Sequence, residues 1–145
     1  MKIVTWNLER LQKNKTEVIL SKLTELDADI LILTETDSRI NLGEKYSSYS
    51  TQNLFDGFDG IQYKNTENRV TIWTKFKVEK QHKTYDKYTS VCVEIQTAFG
   101  LLNVYGTIIG VFGGKGERFN QDAKSQSLDF ENLSPFPPKT PIIVP

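Results

Sequence analysis

The amino-acid sequence predicts an α/β fold, and three stretches carry that prediction. A strand, an amphipathic helix and a second strand follow one another between Lys2 and Thr34. Two extended segments, Tyr88–Gln96 and Leu101–Tyr105, flank a turn at Thr97–Gly100 and read as a hairpin. A weakly patterned helix runs from about Glu117 to Asn132. With 145 residues, the chain reads as one domain, long enough to bury a sizeable core.

Each element has its own warrant. Ile3, Val4 and Thr5 are β-branched and lead into Trp6, which suits a strand ending at Asn7. Asn14 is positioned to cap the following helix, with Glu17 three residues on completing a capping box. Ile19, Leu20, Leu23 and Leu26 then fall on one face, and the helix ends near Asp27. Ile30–Leu33 is continuously apolar, the pattern of a strand covered on both sides. A strand, helix and strand this closely spaced form a βαβ unit with parallel strands. Residues 41–68 are rich in Tyr, Ser, Asn, Asp and Gly, with turns at Asp56-Gly57 and Asp59-Gly60, and read as irregular. Val70–Thr74 is a strand. Pro135, Pro137 and Pro138 stop the last helix, and Thr140–Val144 is again strand-like.

Composition removes several functions. Lys and Arg total 18 against 18 Asp and Glu, so bulk charge does not attract the chain to DNA or an acidic membrane. One cysteine, Cys92, excludes an internal disulfide and a cysteine zinc site; between Val91 and Val93 it reads as a core thiol. One histidine excludes a two-histidine metal centre, and His82, within Lys80-Gln-His-Lys83, reads as a solvated loop residue. No leader and no long apolar run is present, so the expectation is a soluble, cytoplasmic protein without membrane contact. The glycines from Gly110 to Gly116 fail as a phosphate loop: Gly116 stands where Ser or Thr is needed and Ile109 where the first Gly belongs. Lys75, Lys77, Lys80, Lys83 and Lys87 form the most basic window, either a lysine-guarded strand edge or a guide for a phosphate backbone. Tyr46, Tyr49, Phe55, Phe58 and Tyr63 either stack on bases or pack the irregular segment onto the sheet.

Asn7 and Glu35 stand at the ends of the two strands of the βαβ unit. Ligands of open α/β sheets sit outside the carboxyl ends of parallel strands. A carboxylate and an amide oxygen there suit a hard cation such as Mg²⁺, which keeps water in its other positions. The alternative is that both are turn and cap residues.

Lys2–Arg10, KIVTWNLER, followed by Ala28–Thr36, ADILILTET, resembles the endonuclease/exonuclease/phosphatase superfamily, whose members open with a strand ending in Trp-Asn and continue with one ending in Glu-Thr. Val70–Lys75 and Leu102–Tyr105 resemble two further strands of that family, in the same order. The resemblance implies a four-layer α/β sandwich, two packed mixed sheets flanked by helices, of which residues 1–145 are the N-terminal part. It implies hydrolysis of a phosphate ester, nucleic acid among the candidates, dependent on Mg²⁺ or Mn²⁺. Glu35 matches the family's principal metal ligand, Asn7 the asparagine beside it, and Tyr105 the tyrosine that contacts the scissile phosphate in the nucleases. The family's Gly-Asp-Phe-Asn and Ser-Asp-His motifs have no match here, because Thr140–Val144 resembles the strand that leads into the first of them. Gly106–Gly110 also departs from the Pro and Asn that follow the tyrosine in many nucleases, which leaves the substrate open. The expectation is therefore a truncated domain, inactive in this form, with an uncovered sheet face that invites homo-oligomers. The other reading is a non-catalytic globular fragment or self-associating module.

Overall fold

A computed structural model describes residues 1–55, 58–110 and 118–133. The Asp56-Gly57 turn, the glycine-rich stretch after Gly110, the start of the last helix at Glu117, the proline stop and the Thr140–Val144 strand lie outside the described residues. In chain order the elements are β1 (Ile3–Asn7), a 3₁₀ helix (Glu9–Asn14), α1 (Thr16–Leu26), β2 (Ile30–Asp37), β3 (Ser47–Ser50), β4 (Glu67–Thr74), β5 (Val78–His82), β6 (Ser90–Thr97), β7 (Gly100–Thr107) and α2 (Phe119–Leu133).

The first sheet runs β1-β2-β4-β3 and the second β5-β6-β7. β1 pairs parallel to β2, with Asn7 opposite Thr34, as the βαβ reading expects. β4 pairs antiparallel with both β2 and β3. The second sheet is antiparallel throughout, its strands joined by short connections that leave no room for a parallel crossover, and with the mixed first sheet it forms the α/β architecture expected.

Apolar side chains divide the sheets into layers. On the outer face of the first sheet, Leu31, Leu33 and Trp73 pack with Ile19 and Leu23 of α1. On its inner face, Ile30, Val70 and Ile72 meet Val91, Val93, Ile95 and Val104 of the second sheet. α2 lies on the far side of the second sheet, with Phe130 5.3 Å from the Tyr105 ring and Gln126 Nε2 donating to Thr107 Oγ1 at 2.9 Å. The order is thus helix, sheet, sheet, helix. Because the two inner faces cover each other, the open sheet face expected from the family comparison is closed at its centre, and association through it gains no support. No helix among the described residues is long and apolar enough to cross a membrane.

Three local expectations change. Asn14 ends the 3₁₀ helix instead of capping α1; Lys15 takes the N-cap position without a side-chain hydrogen bond, because the chain is already turning when it reaches Asn14. The irregular segment contains β3, whose Ser-Ser-Tyr-Ser sequence has no apolar alternation to announce it and is held by pairing to β4. His82 is the last residue of β5, and its side chain is only 18% exposed. The other end of α1 matches its reading: Asp27 takes a left-handed φ of 41° and its N–H closes onto Leu23 and Thr24 carbonyls. Of the lysine window, Lys80 lies on the edge strand β5, while Lys75 and Lys77 precede that strand and Lys83 and Lys87 follow it. Cys92 is fully buried, and burial, then Asp129 and Glu94, push its thiol up to about 11.

Gly106 allows β7 to approach the first sheet. A Cβ there would stand 2.8 Å from Val70 Cγ1, 3.1 Å from Ile32 Cγ2 and 3.3 Å from Ile72 Cγ1. Gly106→Ala is expected to lower stability in urea unfolding by about 1–3 kcal/mol. Adding Val70→Ala, which removes the nearest methyl, should recover part of that overpacking loss. Strict additivity of the two effects would contradict the close approach.

Candidate active site

The parallel pairing carries β1 and β2 to one sheet edge. There Leu8 N–H donates to Thr34 O at 2.9 Å, extending the ladder past Asn7. Asn7 Oδ1 accepts the N–H of Glu9 at 2.8 Å, an Asx turn. The next three residues are left-handed, with φ of 49° at Glu9, 57° at Arg10 and 51° at Leu11. Each costs about 1–2 kcal/mol in an L-residue, so the turn must be held from outside. Leu8 and Leu11 hold it by burial in the outer core. Arg10 pins it further: its Nη2 donates to Glu67 Oε2 at 2.7 Å and to Gln62 O at 2.6 Å, and its guanidinium lies 4.6 Å from the Tyr63 ring centre.

Glu35 is strained as well, with φ of 47°. It stands between the paired positions Thr34–Val70 and Thr36–Asn68, and so opposite Arg69. The alternation of the sheet slips at this level. Leu33 and Thr71 belong to the outer side, and strict period two would turn Thr36 and Asn68 inward. Instead both line an outer cavity of about 350 Å³ together with Thr71 and Trp73. Thr51, the residue after β3, supports the slip, its Oγ1 accepting the N–H groups of Arg69 (3.1 Å) and Val70 (3.2 Å).

The acids around this edge are almost all occupied. Asp37 takes Arg39 Nη2 at 2.9 Å and the Thr66 hydroxyl at 3.0 Å; burial alone would raise its pKa, but these hydrogen bonds hold the carboxyl below the usual range. Asp59 pairs with Arg69 at 3.0 Å, and Arg69 Nη2 lies 4.0 Å from Asp122 Oδ2. Arg118 joins Asp122 (3.1 Å) and Asp86 (2.6 Å) and lies 3.8 Å from the Phe58 ring centre. This row of two arginines and three aspartates fastens β4, the 58–63 segment and α2 to one another. Glu35 differs. Among the described residues it is the one buried or half-buried carboxylate that has no hydrogen-bond or ion-pair partner.

That donor set fits a hard divalent cation. Mg²⁺ is held by one or two carboxylates with water completing its shell. The unengaged Glu35 carboxylate supplies one, and Asn7 Oδ1 retains a second lone pair beyond the one facing Glu9. No group of three His, Cys, Asp or Glu side chains among the described residues is gathered to hold a metal, so an all-protein cage is not what this edge offers.

Tyr105 is placed differently. Its neighbour Gly106 faces the first sheet, so Tyr105 points the other way, towards α2. Its hydroxyl donates to Asp129 Oδ2 at 2.7 Å and lies 2.9 Å from Ser90 Oγ. The structure therefore brings Asn7 and Glu35 to one edge and does not join Tyr105 to them. The sequence reading missed the arginine–aspartate row; a charged Arg69 directly before the strand Val70–Thr74 was the signal for it.

Comparison with solved structures identifies the fold. No protein-family model and no curated protein matches the sequence. The endonuclease domain of TRAS1, a telomere-specific non-LTR retrotransposon, superposes with a TM-score of 0.68 at 13% identity, over 92% of this chain and 55% of that one. An endonuclease/exonuclease/phosphatase family protein from Leptotrichia buccalis gives 0.62 at 15% identity, over 88% and 62%. Beta toxin from Staphylococcus aureus, in a structure with bound magnesium ions, gives 0.61 at 15% identity, over 92% and 57%. This chain has the endonuclease/exonuclease/phosphatase fold, and it spans 55–62% of the length of these structures.

Tyr105 yields a test of its structural part. Burial, reinforced by Asp129 and opposed by Ser90, pushes its phenol up to about 12 from 10.0. The protonated form is thus favoured by folding, and that contribution is complete below pH 10 and lost as pH rises towards 12. Tyr105→Phe should cost about 1–2 kcal/mol at neutral pH, since it strips a hydrogen bond from buried Asp129. The alkaline fall in urea midpoint should shrink in the same variant, and an unchanged fall would refute the assignment.

Proposed function

We propose that this chain provides the metal-binding edge of a divalent-cation-dependent phosphoesterase. The observation that carries the reading is the half-buried, partnerless carboxylate of Glu35 on a strained backbone, at the carboxyl edge of two parallel strands. Non-glycine residues held in left-handed conformations concentrate at functional sites, because only a surrounding structure selected for that purpose maintains them. The fold agrees with the reading: the solved structures of the same architecture include an endonuclease domain and a toxin with bound magnesium ions.

Glu35 is the principal ligand for Mg²⁺ or Mn²⁺, and Asn7 binds the ion or one of its waters. Such an ion supplies charge neutralisation for an anionic phosphate and acidifies bound water. The chain's own residues do the positioning. The Asx turn fixes the rotamer of Asn7, Arg10 and Glu67 anchor the left-handed turn behind it, and the slip at Glu35 frees its carboxylate from the pairing that occupies its neighbours. Tyr105 contributes by linking Asp129 of α2 to Ser90 of β6 in the second sheet.

Electron paramagnetic resonance of added Mn²⁺ tests this directly, independently of turnover. The full chain should bind the ion, Mg²⁺ should displace it, and Glu35→Gln should weaken binding by roughly tenfold or more. Binding that survives Glu35→Gln unchanged would place the ion elsewhere and refute the proposal.

A further inference from the structure

Beside the arginine–aspartate row lies a second feature that the metal edge does not use. A cavity of about 480 Å³ opens between the end of β3 and the segment that follows β5, lined by Gln52, His82, Lys83, Lys87, Tyr88 and Ser90 among others. Its charge is positive. Lys83 and Lys87 have no carboxylate partner among the described residues, and Asp86, the acid on the same wall, is taken by Arg118 at 2.6 Å. His82 Nε2 is buried there without a hydrogen bond, 3.6 Å from Glu94.

Tyr88 belongs both to this cavity and to an aromatic cluster. Its ring centre lies 5.4 Å from Phe55 and 5.7 Å from Phe58, and Lys87 Nζ stands 5.3 Å from it. Phe55 is 52% exposed, and both neighbouring rings meet it at steep angles, 90° and 75°, so neither stacks flat against it. Phe58, buried beneath, contacts Arg118 and Arg69, and Arg69 stands opposite Glu35. Gln52 of the cavity directly follows Thr51, whose Oγ1 accepts the N–H of Arg69, so the cavity adjoins the strand position opposite Glu35. β3 is two strands from β2, a lateral distance of roughly 10 Å.

Free lysines beside an exposed aromatic face are the two parts of a single-strand binding surface: cations for successive phosphates and a ring on which an unstacked base lies. A duplex presents no free base face to such a ring. We infer that Lys83, Lys87 and Phe55 bind a single-stranded polynucleotide, one of whose phosphates reaches the Glu35 edge. The inference names the substrate class of the phosphoesterase reading and rests on it for catalysis, while the binding stands alone.

The test is fluorescence anisotropy of a labelled single-stranded oligonucleotide with the full chain in EDTA, against the same sequence as duplex and against phosphatidylserine vesicles. The single strand should bind tighter than the duplex. Phe55→Ala should weaken it roughly fivefold or more, and Lys83→Ala with Lys87→Ala should flatten the salt dependence by about 1.4 in log–log slope. All three residues or their side-chain ends face solvent, so these variants should fold, as circular dichroism will show. Equal binding of duplex, variants that bind like the parent, or capture by vesicles instead of the oligonucleotide would each overturn the inference. Glu35→Gln separates the two proposals: it should leave oligonucleotide binding intact while Mn²⁺ binding falls. Loss of oligonucleotide binding in Glu35→Gln would overturn the independence of this surface.

Discussion

The backbone at Glu35 is the constraint on which the candidate site depends. A left-handed residue inside a strand interrupts pairing for one step and shifts the faces of everything beyond it. Before the slip, β2 and β4 alternate between the outer core with α1 and the inner core between the sheets. After it, Thr36 and Asn68 turn outward. Arg69 is released to reach Asp59 and the helix of the opposite layer. Glu35 itself is left with a carboxylate that the sheet does not use. Such a conformation costs free energy and persists only where the surroundings over-determine it.

The surroundings do so from three directions. Parallel pairing with β1 extends one hydrogen bond past Asn7 and holds the start of the slip. Thr51 satisfies two backbone N–H groups on the β4 side that the interrupted ladder would leave without a partner. The arginine–aspartate row ties the far side to α2. Charges this buried earn little net stability over a well-packed apolar cluster, but removing one partner strands the other. Their value here is to fix the geometry of the edge. Close approach of the sheets at Gly106 closes the inner core immediately below it.

Much of this was legible in the sequence, and what was not has physical causes. Ile3–Trp6, the Ile19–Leu26 face and Ile30–Leu33 announce strand, helix and strand because local propensity and long-range burial agree there. The pairing of Asn7 with the end of β2 follows from that unit alone. β3 was invisible, since Ser-Ser-Tyr-Ser is a strand only because β4 supplies its partners. His82 looked solvated because its sequence neighbours are polar, yet the twist of an edge strand turns the ring towards β6. Period two in β7 sets the Tyr105 ring against Phe130 of α2, a contact that the resemblance does not announce. The strain at Glu35 has no signature in residue type, because glutamate is not a residue that favours a left-handed φ.

Thermal unfolding of the parent chain and of Glu35→Gly, each with and without Mn²⁺, tests the central claim most directly. Glycine adopts the left-handed conformation without penalty and carries no carboxylate. If Glu35 is held under strain to keep a ligand free, the variant will melt no lower than the parent without metal, and Mn²⁺ will raise the melting temperature of the parent alone. A variant that melts lower without metal, or that gains as much from Mn²⁺ as the parent does, would contradict the account.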